Sequence, residues 1–126
     1  MGRNKHPGKP HKRSSGQYLL LPYAMINHPS FMALSGSAVR VLIELNLGFN
    51  GFNNGEIGLG YTQVETRLRY GSEKVKRAFN QLQEYGFIVC HAQSSFNMKT
   101  KKAREWEITF HPMPDRPPSH AWKKIK

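Results

Sequence analysis

Apolar residues in this chain recur with two different periods. Within 35–48 (SGSAVRVLIELNLG), Ala38, Val41, Leu42 and Leu45 stand at i, i+3, i+4 and i+7, with Val39, Ile43 and Leu47 widening the face. That spacing puts them on one side of a helix. Ser35 or Ser37 is placed to cap it and Gly48 to end it. Within 72–85 (SEKVKRAFNQLQEY), Val75, Ala78, Phe79 and Leu82 form a second stripe, with Ser72 as N-cap and Gly86 just past the end. Between them, 61–68 predicts a shorter helix, with Thr62 as cap and Glu65 three residues on. The period changes to two in Arg104–His111, where Trp106, Ile108 and Phe110 share one face. Phe87–Ala92 is another run of strand length, and with polar 93–103 between them the two read as a hairpin with a long tip. Ile57 and Leu59, alternating with Gly58 and Gly60, predict one short strand. Phe49–Gly55 (FNGFNNG) predicts a loop, since Gly and Asn tolerate positive φ.

The ends read differently. Tyr18–Leu34 predicts an extended lead-in interrupted by Pro22, then a turn of helix at Ser30–Leu34 with Ser30 as cap. Packing on its own domain is the expected use of the apolar run YLLLPYAMI. Residues 1–16 hold five Lys or Arg, no acid and no large apolar residue beyond Met1. Such a segment cannot bury enough surface to offset chain entropy, so it predicts a disordered basic arm. Residues 113–126, Pro-rich and ending in Trp122 and three lysines, predict a similar tail. One domain over 17–112 remains, of a size that supports a single small core.

Charge then changes the picture. The chain has 126 residues, 19 Lys and Arg against 8 Asp and Glu, and a formal net charge of +11. A field of that sign favours polyanionic partners. No apolar run approaches the ~18 residues of a membrane helix, and the basic N-terminus lacks the apolar core of a secretion signal. A single cysteine, Cys90, excludes an internal disulfide framework. The expectation is a soluble cytoplasmic protein with no membrane association.

The order helix, strand, helix, turn, helix, strand, basic loop, strand is an α+β arrangement of three main helices with a small antiparallel sheet. Residues 35–111 resemble the winged helix-turn-helix family of bacterial and phage DNA-binding proteins. GSEKVKRAFNQLQEYGFIVC is similar to that family's third helix running into its first wing strand, and NNGEIGLGYTQVETRLRYG to its first strand and second helix. The Phe49–Gly55 loop and the lead-in are similar to replication-initiator-like members. One departure is the short second helix, ending in RLRYG. The resemblance implies a β-hairpin wing and a double-stranded DNA partner, in a bacterial nucleoid or a phage-infected host cell. It implies a role in transcription regulation or DNA replication.

The residues support this independently. Off the apolar stripe of 72–85 stand Ser72, Lys74, Lys76, Arg77, Asn80 and Gln81, with Glu73 the only acid in the first two turns. A B-DNA major groove admits a helix, and Arg, Lys, Asn and Gln have the donor geometry for base edges. In helix-turn-helix docking the N-terminal part of the motif's second helix meets the bases. Lys74, Lys76, Arg77 and Asn80 are therefore the foremost candidates. The hairpin tip offers Ser95, Lys99, Thr100, Lys101, Lys102 and Arg104 to backbone phosphates or a minor groove, which adds affinity and register rather than base reading. Weaker candidates are Thr62, Gln63, Arg67 and Arg69 on the second helix, and Arg3, Lys12 and Arg13 on the arm. The arm lies along DNA or is a linker lending unspecific affinity; the C-terminal tail is a second backbone contact or a docking peptide for a protein partner. One domain of this kind buries only ~600–1,000 Å² on DNA, so a homodimer or several copies along the duplex would strengthen binding.

Other chemistry finds little support. The six histidines show no i, i+4 pair with a carboxylate, and Cys90 and His91 point to opposite faces of a strand. No metal, cofactor or enzyme activity is expected. GEIGLG lacks the Lys-Ser/Thr of a phosphate loop. Two alternatives compete with duplex binding: an RNA or single-strand binder, which would need aromatic stacking platforms, and a protein-interaction adaptor that uses the fold as a scaffold.

Overall fold

Ser35 starts the first long helix as its spacing predicts: its Oγ accepts the Ala38 N–H at 3.1 Å. The structure, a computed structural model, describes residues 17–92, 95–96 and 101–124, with the backbone alone at 95, 96, 101 and 102. In chain order the elements are α1 (Tyr23–Ile26), α2 (Pro29–Met32), α3 (Gly36–Leu47), β1 (Ile57–Gly58), α4 (Tyr61–Leu68), α5 (Ser72–Glu84), β2 (Ile88–Ala92), β3 (Ser95–Phe96), β4 (Lys101–Lys102), β5 (Glu105–Ile108) and a 3-10 turn at Ala121–Lys124. The fold is α+β, with five α-helices among the described residues and a small antiparallel three-stranded sheet ordered β1-β5-β2.

The predicted stripes are the core. Ala38, Val41, Leu42 and Leu45 of α3 and Val75, Ala78, Phe79 and Leu82 of α5 are buried together with Val64 of α4. Trp106 closes the sheet side: it pairs with Ile57 on one edge and Cys90 on the other, and its ring stacks on Phe79 at 5.0 Å. Its Nε1–H donates to the Leu59 carbonyl at 3.0 Å, which satisfies the one polar atom this large side chain brings inside. The β2–β5 register shifts between Cys90 and Ala92, and a separate β3–β4 ladder pairs Ser95 with Lys102 and Phe96 with Lys101.

Helix α5 stops by a specific mechanism. Phe87 N–H donates to the Leu82 carbonyl and Gly86 N–H to the Gln83 carbonyl, with Gly86 at φ +84. This is the paired closure of a Schellman motif, including the buried contact partners Leu82 and Phe87.

Several expectations need correction. Gly71, not Ser72, is the N-cap of α5, and Ser72 is its first helical residue with no side-chain cap bond. Gly60, not Thr62, precedes α4; the Gln63 side chain rather than Glu65 reaches back, its Oε1 accepting the Gly60 N–H at 2.6 Å. His28 caps α2 through Nδ1, which accepts the Ser30 N–H at 3.1 Å, and Ser30 itself is buried. The short α1 was not foreseen. The lead-in packs less than its composition suggests: Met25 is buried, but Tyr18, Leu19, Leu20, Tyr23 and Ile26 are exposed.

The largest departure concerns the C-terminal segment, expected to be an unpacked tail. Trp122 is 2% exposed, with edge-on contacts to His28 and His120. The segment covers the outer side of the sheet, so β5 loses the alternation its sequence predicts. Glu107 and Thr109, which alternate with the Trp106, Ile108 and Phe110 face, are buried as well. Thr109 Oγ1 donates to the Gly86 carbonyl at 2.7 Å, and its own carbonyl accepts the His120 N–H at 2.8 Å. Glu107 Oε1 accepts from Arg116 at 3.1 Å and pairs with His91 Nε2 at 2.8 Å. The ordered unit therefore extends past Pro112 to Lys124. The arm at 1–16, with Arg3, Lys12 and Arg13, lies outside the described residues, as do Lys99 and Thr100.

Candidate functional site

At 100° per residue the side chains of α5 sort into three sectors around the buried stripe. Glu73, Arg77, Asn80 and Glu84 point straight away from the core; Lys76 and Gln83 lie on one flank, Lys74 and Gln81 on the other. All of these but Gln81 are exposed. Among the described residues, Lys74, Lys76 and Arg77 join no ion pair. The Lys74 ammonium sits 4.5 Å from the Tyr70 ring centroid, a cation–π contact that steadies the side chain without cancelling its charge.

Gln81 has a structural role that its sequence position did not reveal. Its Oε1 accepts the Ser35 N–H at 2.8 Å, tying the N-terminal end of α3 to the last turn of α5. Beside this tie, Ser35, Ser37, Lys74, Arg77, Asn80 and Glu84 line an open groove. Ser72, on the first turn of α5, is exposed but does not line this groove.

The connection from α4 to α5 is three residues long, Arg69-Tyr70-Gly71. Arg69 takes the left-handed conformation at φ 58, a position where Gly is the unstrained residue. This tight link fixes α4 against α5. On α4, Thr62, Gln63, Thr66 and Arg67 border a shallow exposed depression. Gln63 is partly used by its cap bond. Arg67 is the candidate that the structure alters most: its Nε lies 3.2 Å from Glu44 Oε2, while Arg40 Nη1 lies 2.8 Å from Glu44 Oε1. Glu44, 8% exposed at the side chain, thus spends its charge on two arginines, and Arg67 is partly neutralised. Nothing in the one-dimensional pattern pairs positions 44 and 67; they meet because α3 and α4 both pack on α5.

From the β2–β5 side, Arg104 folds over α4, its guanidinium 4.2 Å from the Tyr61 ring centroid. Burial raises the Tyr61 hydroxyl above its ordinary pKa, opposed by the Arg104 charge and reinforced by Cys90. The phenol therefore stays neutral beneath the arginine. Ser95, Lys101 and Lys102 fall on the β3–β4 ladder that extends the hairpin. The structure thus sets Arg104 against the start of α4 and Lys74 against the α4–α5 link.

Cys90 and His91 do not converge on any metal set. Among the described residues no group of three or more His, Cys, Asp or Glu is placed to hold an ion. His91 binds Glu107, whereas His111 stacks on Phe49 at 4.2 Å and donates from Nε2 to Asn46 Oδ1 at 2.7 Å. No helix among the described residues is long and apolar enough to cross a membrane. No family model, curated protein or solved structure matches the chain.

Proposed function

We propose that the chain is a winged helix-turn-helix protein that binds double-stranded DNA, with α5 in the major groove and the β2–β5 hairpin on the backbone or minor groove. The element order α3, β1, α4, α5, β2, β5, the sheet order β1-β5-β2 and the three-residue α4–α5 link support the fold reading. The observation that carries the function is the state of α5. Its apolar stripe is wholly buried, and Lys74, Lys76 and Arg77 on its first two turns stand exposed and uncancelled beside Asn80. Glu73 and Glu84 share the outward sector, so the cationic side is its first half and its Lys74 flank rather than the whole face.

Lys76 and Arg77 supply groove contacts, and Arg104 and the lysines of the β3–β4 ladder hold phosphates. A transcriptional or replication role follows from such binding. The stacking platform of a single-strand or RNA binder is less well served: Phe79, Phe87, Trp106 and Phe110 are buried, and the exposed Tyr18, Tyr23 and Phe52 belong to the lead-in, α1 and the α3–β1 loop rather than to α5 or the hairpin.

Duplex binding measured by fluorescence anisotropy tests the reading. Lys76→Ala with Arg77→Ala should weaken binding at least tenfold, since each well-made base contact contributes roughly 1–3 kcal/mol. Affinity and sequence preference both unchanged in the double variant would remove α5 from the groove.

A further inference from the structure

Residues 14–39 contain no Lys, Arg, Asp or Glu, in a chain of net charge +11. Of the nine large apolar side chains exposed among the described residues, six lie between Tyr18 and Met32, including Tyr23 at 85% and Met32 at 74%. A seventh, Leu47, borders the same groove as Tyr18 and Leu19. The lead-in, α1 and α2 therefore form an apolar surface with no charge of its own, bordered at α2 by the exposed Lys123 and Lys124 of the 3-10 turn. With ~150–250 Å² for each fully exposed large side chain, these residues leave on the order of 600 Å² open, at the upper end for the largest patch on a monomer.

We infer that this surface is a homodimer interface, in which two copies meet across a two-fold axis. The chain's own N-terminal arm is a poor cover, because residues 1–16 carry five cations and no large apolar side chain but Met1. An acidic partner would find cations only at the edge of this surface, at Lys123 and Lys124, and none on residues 14–39 themselves. A second copy fits, because two +11 chains repel wherever charged faces meet and least where the facing surface is neutral. A two-fold axis places the same patch against itself, neutral on neutral. The apolar area, with its polar neighbours, approaches the ~800 Å² per partner of a standard interface.

The location leaves the cationic helix free. α2 adjoins the far end of α5: Phe31 packs edge-on against Phe87 at 5.9 Å, just beyond Gly86. Lys74–Arg77 lie about ten residues earlier, on the order of 15 Å along the helix axis. Two copies joined at this surface keep both α5 N-terminal halves outward. The inference does not require that α5 bind DNA.

Sedimentation equilibrium without nucleic acid, over roughly 1–100 μM and at moderate salt, provides the test. The native chain should show a reversible monomer–dimer equilibrium. Leu20→Glu with Tyr23→Glu should raise the dimer Kd at least a hundredfold, from the loss of two apolar anchors and the pairing of like charges across the axis. Met32→Glu alone should act in the same direction. The circular dichroism spectrum should be unchanged, because these side chains are exposed. Lys76→Ala with Arg77→Ala should dimerise as the native chain does, so this inference and the DNA reading can fail separately. A native chain that stays monomeric up to ~100 μM, or glutamate variants that dimerise with native affinity, would overturn it.

Discussion

The carbonyl oxygen of Ala121 stands 2.7 Å from the point where a β-carbon on Gly86 would lie. The C-terminal segment thus passes over the end of α5 at a distance that only glycine permits. The same residue needs φ +84 to close the helix. One position therefore serves two unrelated demands, helix termination and the approach of a strap from 35 residues downstream.

Gly86→Ala should consequently cost more than an ordinary C-cap change. The left-handed conformation alone penalises an L side chain by ~1–2 kcal/mol. Displacing the Ala121 backbone adds to that, because backbone cannot yield as a flexible side chain does. Urea denaturation should show a loss above about 2 kcal/mol, with 113–124 more open to protease than in the native chain. A loss within about 0.5 kcal/mol would mean the strap does not press on Gly86.

Trp122 offers a graded test of the same packing. Trp122→Ala removes a fully buried ring and should cost roughly 3–5 kcal/mol. Trp122→Phe should cost clearly less. The indole Nε1 is buried with no hydrogen-bond partner among the described residues, and phenylalanine removes that unsatisfied donor along with part of the ring. Equal losses in the two variants would show that the nitrogen finds a partner after all.

These contacts mark the limit of what the sequence discloses. The α3 and α5 stripes, the hairpin strands and the Phe49–Gly55 loop are legible because local period and turn chemistry write them directly. Glu107 and Thr109 are not placed by the alternation on β5, which reports only the inner side of a sheet; what covers the outer side arrives from Arg116 and His120, with no period of its own. Asn54 is a parallel case. In FNGFNNG it reads as one more loop asparagine, yet it is buried, accepting from the Ile108 N–H at 2.7 Å and donating to the Ile108 and His111 carbonyls. On the candidate site, exposure of Lys74, Lys76 and Arg77 follows from their offset to the stripe. The Gln81–Ser35 tie and the Glu44–Arg67 pair are tertiary and invisible to it.

His111 predicts a pH effect of definite sign. Burial between Phe49 and Asn46 lowers its pKa from the ordinary 6.5. Below that value the unfolded chain takes up a proton at this site that the folded chain resists, so the unfolded state is favoured. The stability contributed by the neutral ring is complete above the unfolded pKa and falls as pH drops from 6.5 toward the lowered folded value. The urea midpoint should therefore decline between pH 7.5 and pH 5.5, by less in His111→Gln than in the native chain. Identical declines in the two would place the sensitivity in other histidines.

The arginines on α4 and the cations on α5 should separate by salt dependence. Each phosphate neutralised steepens the fall of log K with log[salt] by about 0.9, so five to seven contacts give roughly −5 to −6. Lys76→Ala should flatten that slope by nearly one unit, because its side chain is exposed and joins no ion pair among the described residues. Arg67→Ala should change it far less, since Glu44 Oε2 already holds that guanidinium at 3.2 Å. Glu44→Gln makes the converse prediction. Freed from the carboxylate, Arg67 and Arg40 regain full charge near α4, so duplex affinity should rise and its slope steepen even as the α3–α4 contact loses an ion pair. If Arg67→Ala and Lys76→Ala flatten the slope equally, Glu44 does not neutralise Arg67 in the complex, and α4 contacts the backbone as directly as α5.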